Sequence, residues 1–315
     1  MAHKYRRDYI NEIQFTGIEP YVTLYHWDLP QALQDKYQKF GNRVKQWMTF
    51  NEPHTFVQGY DVLLAHATAM DIYRKKYNGK QQGSVRIAFD SFWFVDPLVF
   101  GDYPTSMRTR VGCRLPRFSK AESNLLKGSL DFVGINHYTT WFAKNNSTNI
   151  IGTLLRNTMS DSGAVTLHIN GKPIGNRTNS KWLYIVPHGI RSLINYVKTR
   201  YGNPPVIITE NDKSPQNSVI DRMDDPNNPL MSIKNTLKDE KMIEYHNDYL
   251  TNLLASIKED GCNIKRYFVW SLLDNREWGA GYTSRFGLYY VDYKDKLKRY
   301  SKDSVHWFKN FLAST

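Results

Sequence analysis

Cysteine is scarce in this sequence: only two, Cys113 and Cys262, occur among 315 residues. Two cysteines allow at most one disulfide bond. Their surroundings, VGCRLP and DGCNIKRYF, resemble neither a metal-binding pair nor a redox motif. We therefore expect two free thiols and no metal site built from cysteine.

Long apolar runs are also absent. No window approaches the ~18 apolar residues that a membrane-crossing helix needs, and the first ten residues, MAHKYRRDYI, lack the apolar stretch of a secretory signal. From the chain as written we expect a soluble, unexported protein with no membrane partner. Three N-x-S/T sequons, at Asn145, Asn146 and Asn176, suit a secreted protein instead. The cellular location and any glycosylation therefore stay open.

A continuous basic block is missing, although the chain is basic overall. Its 42 Lys and Arg residues against 30 Asp and Glu residues give a net charge of +12 and a pI near 9.4. Such a charge favours nucleic acid or an anionic surface as a partner. The basic residues, however, occur in pairs and triplets beside acids or aromatics, as in 74–76 and 296–299. We expect no nucleic-acid partner and keep a nucleic-acid-binding protein as a weaker alternative.

From residue 60 onward the sequence repeats one pattern, an amphipathic helix, a glycine and then a short apolar run. This alternation is typical of βα units. Six runs fit a buried strand: 21–27, 46–50, 85–89, 131–136, 206–209 and 267–270. Strands that are apolar on both faces belong to a parallel sheet covered by helices. The predicted fold class is therefore α/β.

Helix boundaries are marked between these strands. Ser119 with Glu122 three residues later forms a capping-box pattern at a helix start, and Gly79 and Gly128 follow helical stretches as C-terminal stops. Residues 145–180 are rich in Asn, Ser, Thr and Gly and predict a long loop, within which AVTLHI resembles a strand. A low-complexity linker is the alternative for this segment.

Two glutamates, Glu52 and Glu210, stand out because each directly follows a predicted strand and adjoins an asparagine, in FNEP and ITEN. The C-terminal ends of strands in a β/α barrel converge on one site. A protonated and an ionised carboxyl group that face each other across a sugar ring can break a glycosidic bond. A separation of ~5 Å between the two carboxyl groups leads to retention of the anomeric configuration, and a separation of ~6.5–9.5 Å leads to inversion. Two ordinary surface acids are the alternative.

The surroundings suggest how the two roles divide. Partial burial at a strand end would raise the pKa of Glu52 and suit it to the acid role. Glu210 would be the nucleophile, held ionised by hydrogen bonds, for which Tyr138 is a reasonable donor. We expect the two carboxyl groups to face each other across a pocket.

The segment 270–292 brings Trp270, Asp274, Glu277 and Trp278 into one strand-end loop. Aromatic faces stack on the C–H face of a sugar, and a carboxylate can accept from two adjacent hydroxyls. This composition predicts a sugar site. A tryptophan-rich corner of the core is the alternative.

Six longer motifs occur along the chain: TLYHWDLPQALQD, TFNEP, VDPLVFGDYP, LDFVGINHYT, VIITEN and FVWSLLDNREW with GY and RFGLYYVDY after it. Together they resemble the plant β-glucosidases of glycoside hydrolase family 1, and the resemblance covers nearly the whole chain. It implies a TIM-type (β/α)8 barrel in one domain, 1–315. It also implies a retaining β-glucosidase that acts on a small β-glucoside and needs no metal or cofactor.

The same motif matching assigns roles to individual residues. It implies Glu52 as the acid/base and Glu210 as the nucleophile. It implies contacts to the glucosyl ring from His26, Asn51, Glu277 and Trp278, with Trp270 as the stacking floor and Tyr138 near the nucleophile. Trp182, in WLYIVPHG, resembles the platform for the aglycone.

The chain also departs from the family pattern. The opening barrel strands have no counterpart, so about six of eight strands are recognisable. Asp212 stands where the family usually has glycine, and Arg276 replaces an aromatic beside Glu277, so we expect shifted pKa values near these charges. Missing strands would leave unpaired sheet edges. An inactive truncated family member, non-catalytic or only sugar-binding, is therefore the alternative to an active enzyme; the sequence leaves the aglycone and the oligomeric state open.

Overall fold

Two compact units make up the chain. The computed structural model describes residues 19–26, 44–52, 59–89, 94–145, 164–167, 172–178, 180, 182–213, 233–282 and 284–314. Unit 1 comprises Met1–Asn136 and Asn149–Gly163, and unit 2 comprises His137–Thr148 and Ala164–Thr315. That residues 1–315 behave as one domain stays a prediction.

Unit 1 contains four parallel strands that pair in chain order among its described residues. They are β1 (Tyr21–Tyr25), β2 (Gln46–Asn51), β3 (Ser84–Phe89) and β4 (Val133–Asn136). The register sets Tyr21 opposite Gln46, and Gln46 opposite Ser84. Residues 85–89 of β3 and all of β4 are buried, as the continuous apolar runs predict for strands covered on both faces.

Five helices are described in unit 1, and the longest of them packs against these strands. They are α1 (Gly59–Lys76), α2 (Asn78–Gln81), α3 (Val95–Phe100), α4 (Thr105–Val111) and α5 (Lys120–Leu126). Leu63, Ala67 and Met70 recur at helical spacing on α1 and are at most 1% exposed. This apolar face holds α1 against β2 and β3.

One predicted helix boundary is confirmed and another is wrong. The Ser119 hydroxyl accepts the Glu122 N–H at 3.3 Å, and the Glu122 carboxylate accepts the Ser119 N–H at 2.7 Å, so the capping box of α5 is complete. Gly79, predicted to stop a helix, lies inside α2. The chain reverses instead at Gln82, whose φ of 48° places it in the left-handed region while its N–H donates to the Asn78 carbonyl.

Parallel and antiparallel strands are both present in unit 2. The antiparallel pairs are β5 (Phe142–Asn145) with β6 (Ala164–Leu167), β7 (Asn176–Arg177) with β8 (Tyr184–Ile185), and β11 (Tyr289–Asp292) with β12 (Lys298–Ser301). The parallel pair is β9 (Val206–Glu210) with β10 (Ile264–Tyr267). The first four residues of the strand-like AVTLHI thus form β6, and the last two lie outside the described residues.

Four helices occur in the described part of unit 2. They are α6 (Pro187–Tyr201), α7 (Ile233–Thr236), α8 (Glu240–Lys258) and α9 (Asp303–Ala313). α6 and α8 pack together through apolar faces, with Ile194 and Val197 on one and Tyr249 and Leu253 on the other, all at most 4% exposed. No helix in the described ranges of either unit is long and apolar enough to span a bilayer.

The last predicted strand is displaced. The sequence predicts 267–270, whereas β10 ends at Tyr267. Beyond it the Phe268 N–H still donates to the Ile208 carbonyl at 2.8 Å, and the Trp270 N–H to the Asn211 carbonyl at 3.2 Å. These bonds hold the apolar segment against the end of β9 without a regular ladder. With this change, all six predicted strands are present, four in unit 1 and two in unit 2.

Candidate active site

Three predicted site residues of unit 1 lie at the ends of neighbouring strands. His26 follows β1, Asn51 ends β2, and Glu52 comes directly after it. The Asn51 amide donates to Nε2 of His26 at 3.3 Å. His26 and Glu52 are half-buried, and Asn51 is buried. The strand ends therefore bring these polar groups together, as the strand-end pattern predicts.

Asn136, at the end of β4, completes this cluster, which we call the unit 1 cluster (His26, Asn51, Glu52 and Asn136). Its amide nitrogen donates to Oδ1 of Asn51 at 3.0 Å and to Oε1 of Glu52 at 2.9 Å. A donor at this position orients the Glu52 carboxyl group. The sequence already places Asn136 among the polar residues at strand ends, after the strand run VGIN, but assigns it no role.

The backbone of Glu52 is itself constrained. Its φ of 48° lies in the left-handed region, which costs a residue with a side chain about 1–2 kcal/mol. The Glu52 N–H donates to the Ala88 carbonyl at 2.9 Å, so β3 holds this turn in place. A strained residue fixed by its surroundings is more typical of a functional site than of an ordinary surface acid.

The second glutamate, Glu210, ends β9 in unit 2 and is 8% exposed. The Tyr138 hydroxyl donates to its Oε2 at 2.6 Å. That distance is typical of a charge-assisted bond to an ionised carboxylate. The backbone is held as well, because the His137 N–H donates to the Glu210 carbonyl at 2.9 Å. Tyr138 is the donor that the sequence suggested.

Aromatic rings surround Tyr138. The Trp182 ring lies edge-on to it at a centroid distance of 5.9 Å, and Phe286 lies edge-on at 6.3 Å. Trp182 is 49% exposed. Phe286 was not predicted; it is buried and supports the Tyr138 ring.

Trp270 and Glu277 are in direct contact. The Trp270 indole N–H donates to Oε1 of Glu277 at 3.4 Å. Burial raises the pKa of Glu277 to about 7, and the Trp270 hydrogen bond opposes this rise. The carboxyl group therefore changes protonation state near neutral pH. Trp278, the next residue, opens a short 3₁₀ turn and is 47% exposed.

Asp274 plays a different part from the one its sequence position suggested. It is 4% exposed, and its carboxylate accepts from Arg285 at 3.2 Å, Lys302 at 3.3 Å, the Gly287 N–H at 2.9 Å and the Val291 N–H at 3.3 Å. These donors occupy its oxygens inside unit 2. Asp274 is thus a structural ion-pair centre rather than an acceptor for sugar hydroxyls.

Some sequence expectations lie beyond these observations. Trp27 and Asp28, which follow His26 in the same motif, lie outside the described residues. The higher pKa of Glu52 and the separation of its carboxyl group from that of Glu210 stay predictions. Within the described ranges, no group of three or more His, Cys, Asp or Glu side chains is arranged to hold a metal ion.

Comparisons with known proteins agree on one family. The model of the family described as Glycosyl hydrolase family 1 matches residues 3–60 and 84–315. Beta-glucosidase 40 of Arabidopsis thaliana is 55% identical over 97% of this chain and 73% of its own length. Beta-glucosidase 6 of Oryza sativa subsp. japonica is 52% identical over 97% of this chain and 72% of its own length.

The solved structure of the rice Os3BGlu6 β-glucosidase is similar throughout. Its TM-score with this chain is 0.88 at 50% identity, covering 97% of this chain and 78% of the rice chain. A mutant of that rice enzyme, solved in a covalent complex with Glc from GA4GE, gives the same TM-score at 49% identity. The fold is therefore of the (β/α)8-barrel type in a shortened form.

Proposed function

Because the chain belongs to glycosyl hydrolase family 1, we propose that it hydrolyses small β-glucosides with retention of anomeric configuration, using Glu52 and Glu210. The single observation that carries this assignment is the 2.6 Å hydrogen bond from Tyr138 to the Glu210 carboxylate. Relatives at 55% and 52% identity are named β-glucosidases. The covalent complex of the rice mutant with Glc supports a glycosyl-enzyme intermediate.

Glu210 acts as the nucleophile. Its carboxylate attacks the anomeric carbon and forms an ester bond while the bond to the leaving oxygen breaks. The Tyr138 donor favours the ionised form and fixes which oxygen is free to attack. The 8% exposure of Glu210 keeps bulk water from competing for the carboxylate.

Glu52 acts first as the acid and then as the base. It gives its proton to the leaving oxygen, then removes a proton from the water that cleaves the ester and restores Glu210. The Asn136 amide, 2.9 Å from Oε1 of Glu52, supports the ionised form needed in the second step. A retaining reaction of this kind requires the two carboxyl groups to lie about 5 Å apart when substrate is bound.

The remaining predicted residues bind the substrate. Trp270 stacks on the glucosyl ring. Glu277 accepts hydrogen bonds from the ring hydroxyls, and Trp278 contacts the ring beside it. His26 and Asn51 contact the same ring from the unit 1 cluster, and Tyr138 lies next to the bond being formed. Trp182 carries the aglycone on its exposed face. Residues 1–315 act as one domain, with no cofactor, no nucleic-acid partner and no membrane partner.

The decisive experiment measures release of phenol from an aryl β-glucoside by monodisperse protein beside its Glu210→Ala and Glu52→Ala variants. Glu210→Ala abolishes release, and added azide gives the α-glucosyl azide because the small anion takes the place of the carboxylate. Glu52→Ala slows ordinary substrates by about 10²–10⁴-fold but spares dinitrophenyl glucosides, whose leaving group needs no proton. With azide it gives the β-glucosyl azide.

The azide products separate the two roles. The same azide anomer from both variants would contradict the assignment of one nucleophile and one acid/base. Folded wild-type protein that releases no phenol would establish the inactive alternative. Glu259→Ala, which removes an exposed acid on unit 2, serves as the control for losing a carboxylate anywhere on the surface. DNA that retains the protein on a column would contradict the absence of a nucleic-acid partner.

A further inference from the structure

A buried chain of hydrogen bonds inside unit 2 begins next to Glu210. Asn211 is fully buried, and its amide nitrogen donates to the His137 carbonyl and to the Tyr245 hydroxyl, the latter at 3.0 Å. A carbonyl oxygen only accepts, so the orientation of the amide is fixed. Oδ1 of Asn211 therefore faces Tyr267, which lies at the end of β10.

The direction of each following bond is determined by this orientation. The Tyr267 hydroxyl donates to Oδ1 of Asn211 at 2.6 Å. A phenol has one proton, so Tyr267 must accept from its other partner, Nδ1 of His246, 2.8 Å away. His246 thus carries its proton on Nδ1 and presents a lone pair at Nε2. The ring is neutral, because complete burial lowers its pKa to about 3.

The Nε2 lone pair of His246 faces a carboxyl group. Nε2 lies 3.5 Å from Oδ1 of Asp212 and has no hydrogen-bond partner among the residues that the structure describes. Asp212 is also fully buried; Oδ1 accepts the Lys213 N–H at 2.6 Å, and Oδ2 has no partner within the described ranges. An ionised carboxylate would set negative charge against the lone pair, whereas a protonated one supplies the missing donor.

Other charged and titratable groups also face Asp212. Besides His246, they are Lys213, Lys302 before α9, Asp239 before α8, Tyr245 on α8, Tyr267 on β10 and Glu277 in the loop after β10. Burial is the largest influence and raises the pKa of Asp212 well above its ordinary value, while Lys302 and Lys213 favour the ionised form and Asp239 opposes it. The Lys213 ammonium is buried and has no hydrogen-bond partner in the described part of the chain, and burial lowers its pKa to about 8.

We propose that Asp212 is a positioning residue that carries a proton in the folded protein. The proton completes the series of donors from Asp212 through His246 and Tyr267 to Asn211, and so holds the end of β9 where Glu210 lies. The effect on Glu210 rests on the function proposed above. The protonated state of Asp212 is independent of that function.

The first test concerns stability and needs no activity. Asp212→Asn keeps a donor for His246 and an acceptor for the Lys213 N–H but cannot ionise. Relative to this variant, the unfolding free energy of the wild type falls as pH rises above 3.8, the ordinary pKa of an aspartate, because the unfolded chain loses the Asp212 proton first. Urea unfolding at several pH values measures the difference. Asp248→Asn, an exposed acid on α8, is the control.

Parallel stability curves for the wild type and Asp212→Asn would overturn the proposal, because Asp212 would then be ionised throughout. A difference that grows in favour of the wild type at high pH would do the same, since it would mean that the ionised form is paired with Lys213. Lys213→Met tests for that ion pair. If the proposal is right, the unfolding free energy still falls with rising pH after the Lys213 ammonium is removed.

The second test concerns the link to Glu210. Asp212→Leu keeps the branching of the side chain at Cγ and removes the donor. We expect kcat on an aryl β-glucoside to fall about tenfold or more in Asp212→Leu, with KM little changed, and to stay within about threefold of wild type in Asp212→Asn. Equal losses in both variants would show a role in packing alone and would overturn the positioning role.

A further variant covers failure to fold. If Asp212→Leu does not fold, Tyr267→Phe interrupts the same series of donors while keeping the ring, and the same loss of kcat is expected. Full activity of folded Tyr267→Phe would overturn the positioning role. A wild type that hydrolyses no β-glucoside would contradict the proposed function, and the pH dependence of stability would still decide whether Asp212 carries a proton.

Discussion

The hydroxyl of Tyr138 lies 2.6 Å from Oε2 of Glu210, and it is the donor in this hydrogen bond. The two residues lie 72 positions apart in the sequence, and Tyr138 is additionally held by Tyr245, whose hydroxyl donates to the Tyr138 carbonyl at 3.2 Å. A phenol fixed at both its ring and its backbone orients one carboxylate oxygen. This relationship leads directly to a test of the nucleophile.

Tyr138→Phe removes the donor and keeps the ring. A hydrogen bond to a charged group contributes about 1.5–3 kcal/mol, so we expect kcat/KM to fall about 10- to 100-fold. The acid limb of the pH profile moves to higher pH, because the ionised form of Glu210 loses a partner. The measurement is kcat/KM against pH. Tyr77→Phe, at a half-exposed surface position, should change neither quantity; an unmoved acid limb in Tyr138→Phe would contradict the role given to this bond.

Asn136→Asp places a second carboxyl group against Glu52, whose Oε1 lies 2.9 Å from the Asn136 amide. Two negative charges at this distance disfavour ionisation of Glu52. We expect the alkaline limb of kcat/KM to move to higher pH and the deglycosylation step to slow, since that step needs the ionised base. Asn310→Asp, on the exposed part of α9, is the control for the added charge. A shift of the limb to lower pH would rule out Glu52 as the acid.

Glu277→Gln tests the carboxyl group whose pKa burial raises to about 7. Because the folded protein keeps this proton longer than the unfolded chain, the wild type loses stability as pH rises from about 4.5 to about 7, and the variant lacks that loss. KM for a β-glucoside rises in the variant. Urea unfolding and kinetics at several pH values measure both effects. An identical pH dependence of stability in the two proteins would show that Glu277 titrates normally.

Asp274→Ala leaves the buried cations of Arg285 and Lys302 without their shared partner. Breaking a buried ion pair on one side costs about 3–5 kcal/mol, so we expect the free energy of unfolding to fall by that amount. Asp71→Ala removes the partner of an exposed ion pair with Lys75 and should change stability by only about 0–1 kcal/mol. Equal effects of the two substitutions would show that Asp274 is not buried as described.

Some structural features of this protein follow from short stretches of sequence, and others do not. The six parallel strands, the capping box at Ser119 and the placement of Glu52 and Glu210 at strand ends follow from neighbouring residues, because hydrophobic periodicity and capping depend on short stretches. The same logic failed at Gly79 and at 267–270. The strand end at 267–270 depends on backbone partners from another segment, the Ile208 and Asn211 carbonyls, whereas the helix near Gly79 ends at the left-handed turn of Gln82.

The sequence by itself determined the family motifs, the fold class and the candidate pair of glutamates. Only the tertiary structure decided that Asp274 is an internal ion-pair centre, that Asn136 holds Glu52, and that Asp212 faces the lone pair of His246. The reason is physical. Burial and the direction of a hydrogen bond depend on which distant residues the fold brings into contact, and a carboxyl group has the same local sequence signal whether it ends in solvent or in the core.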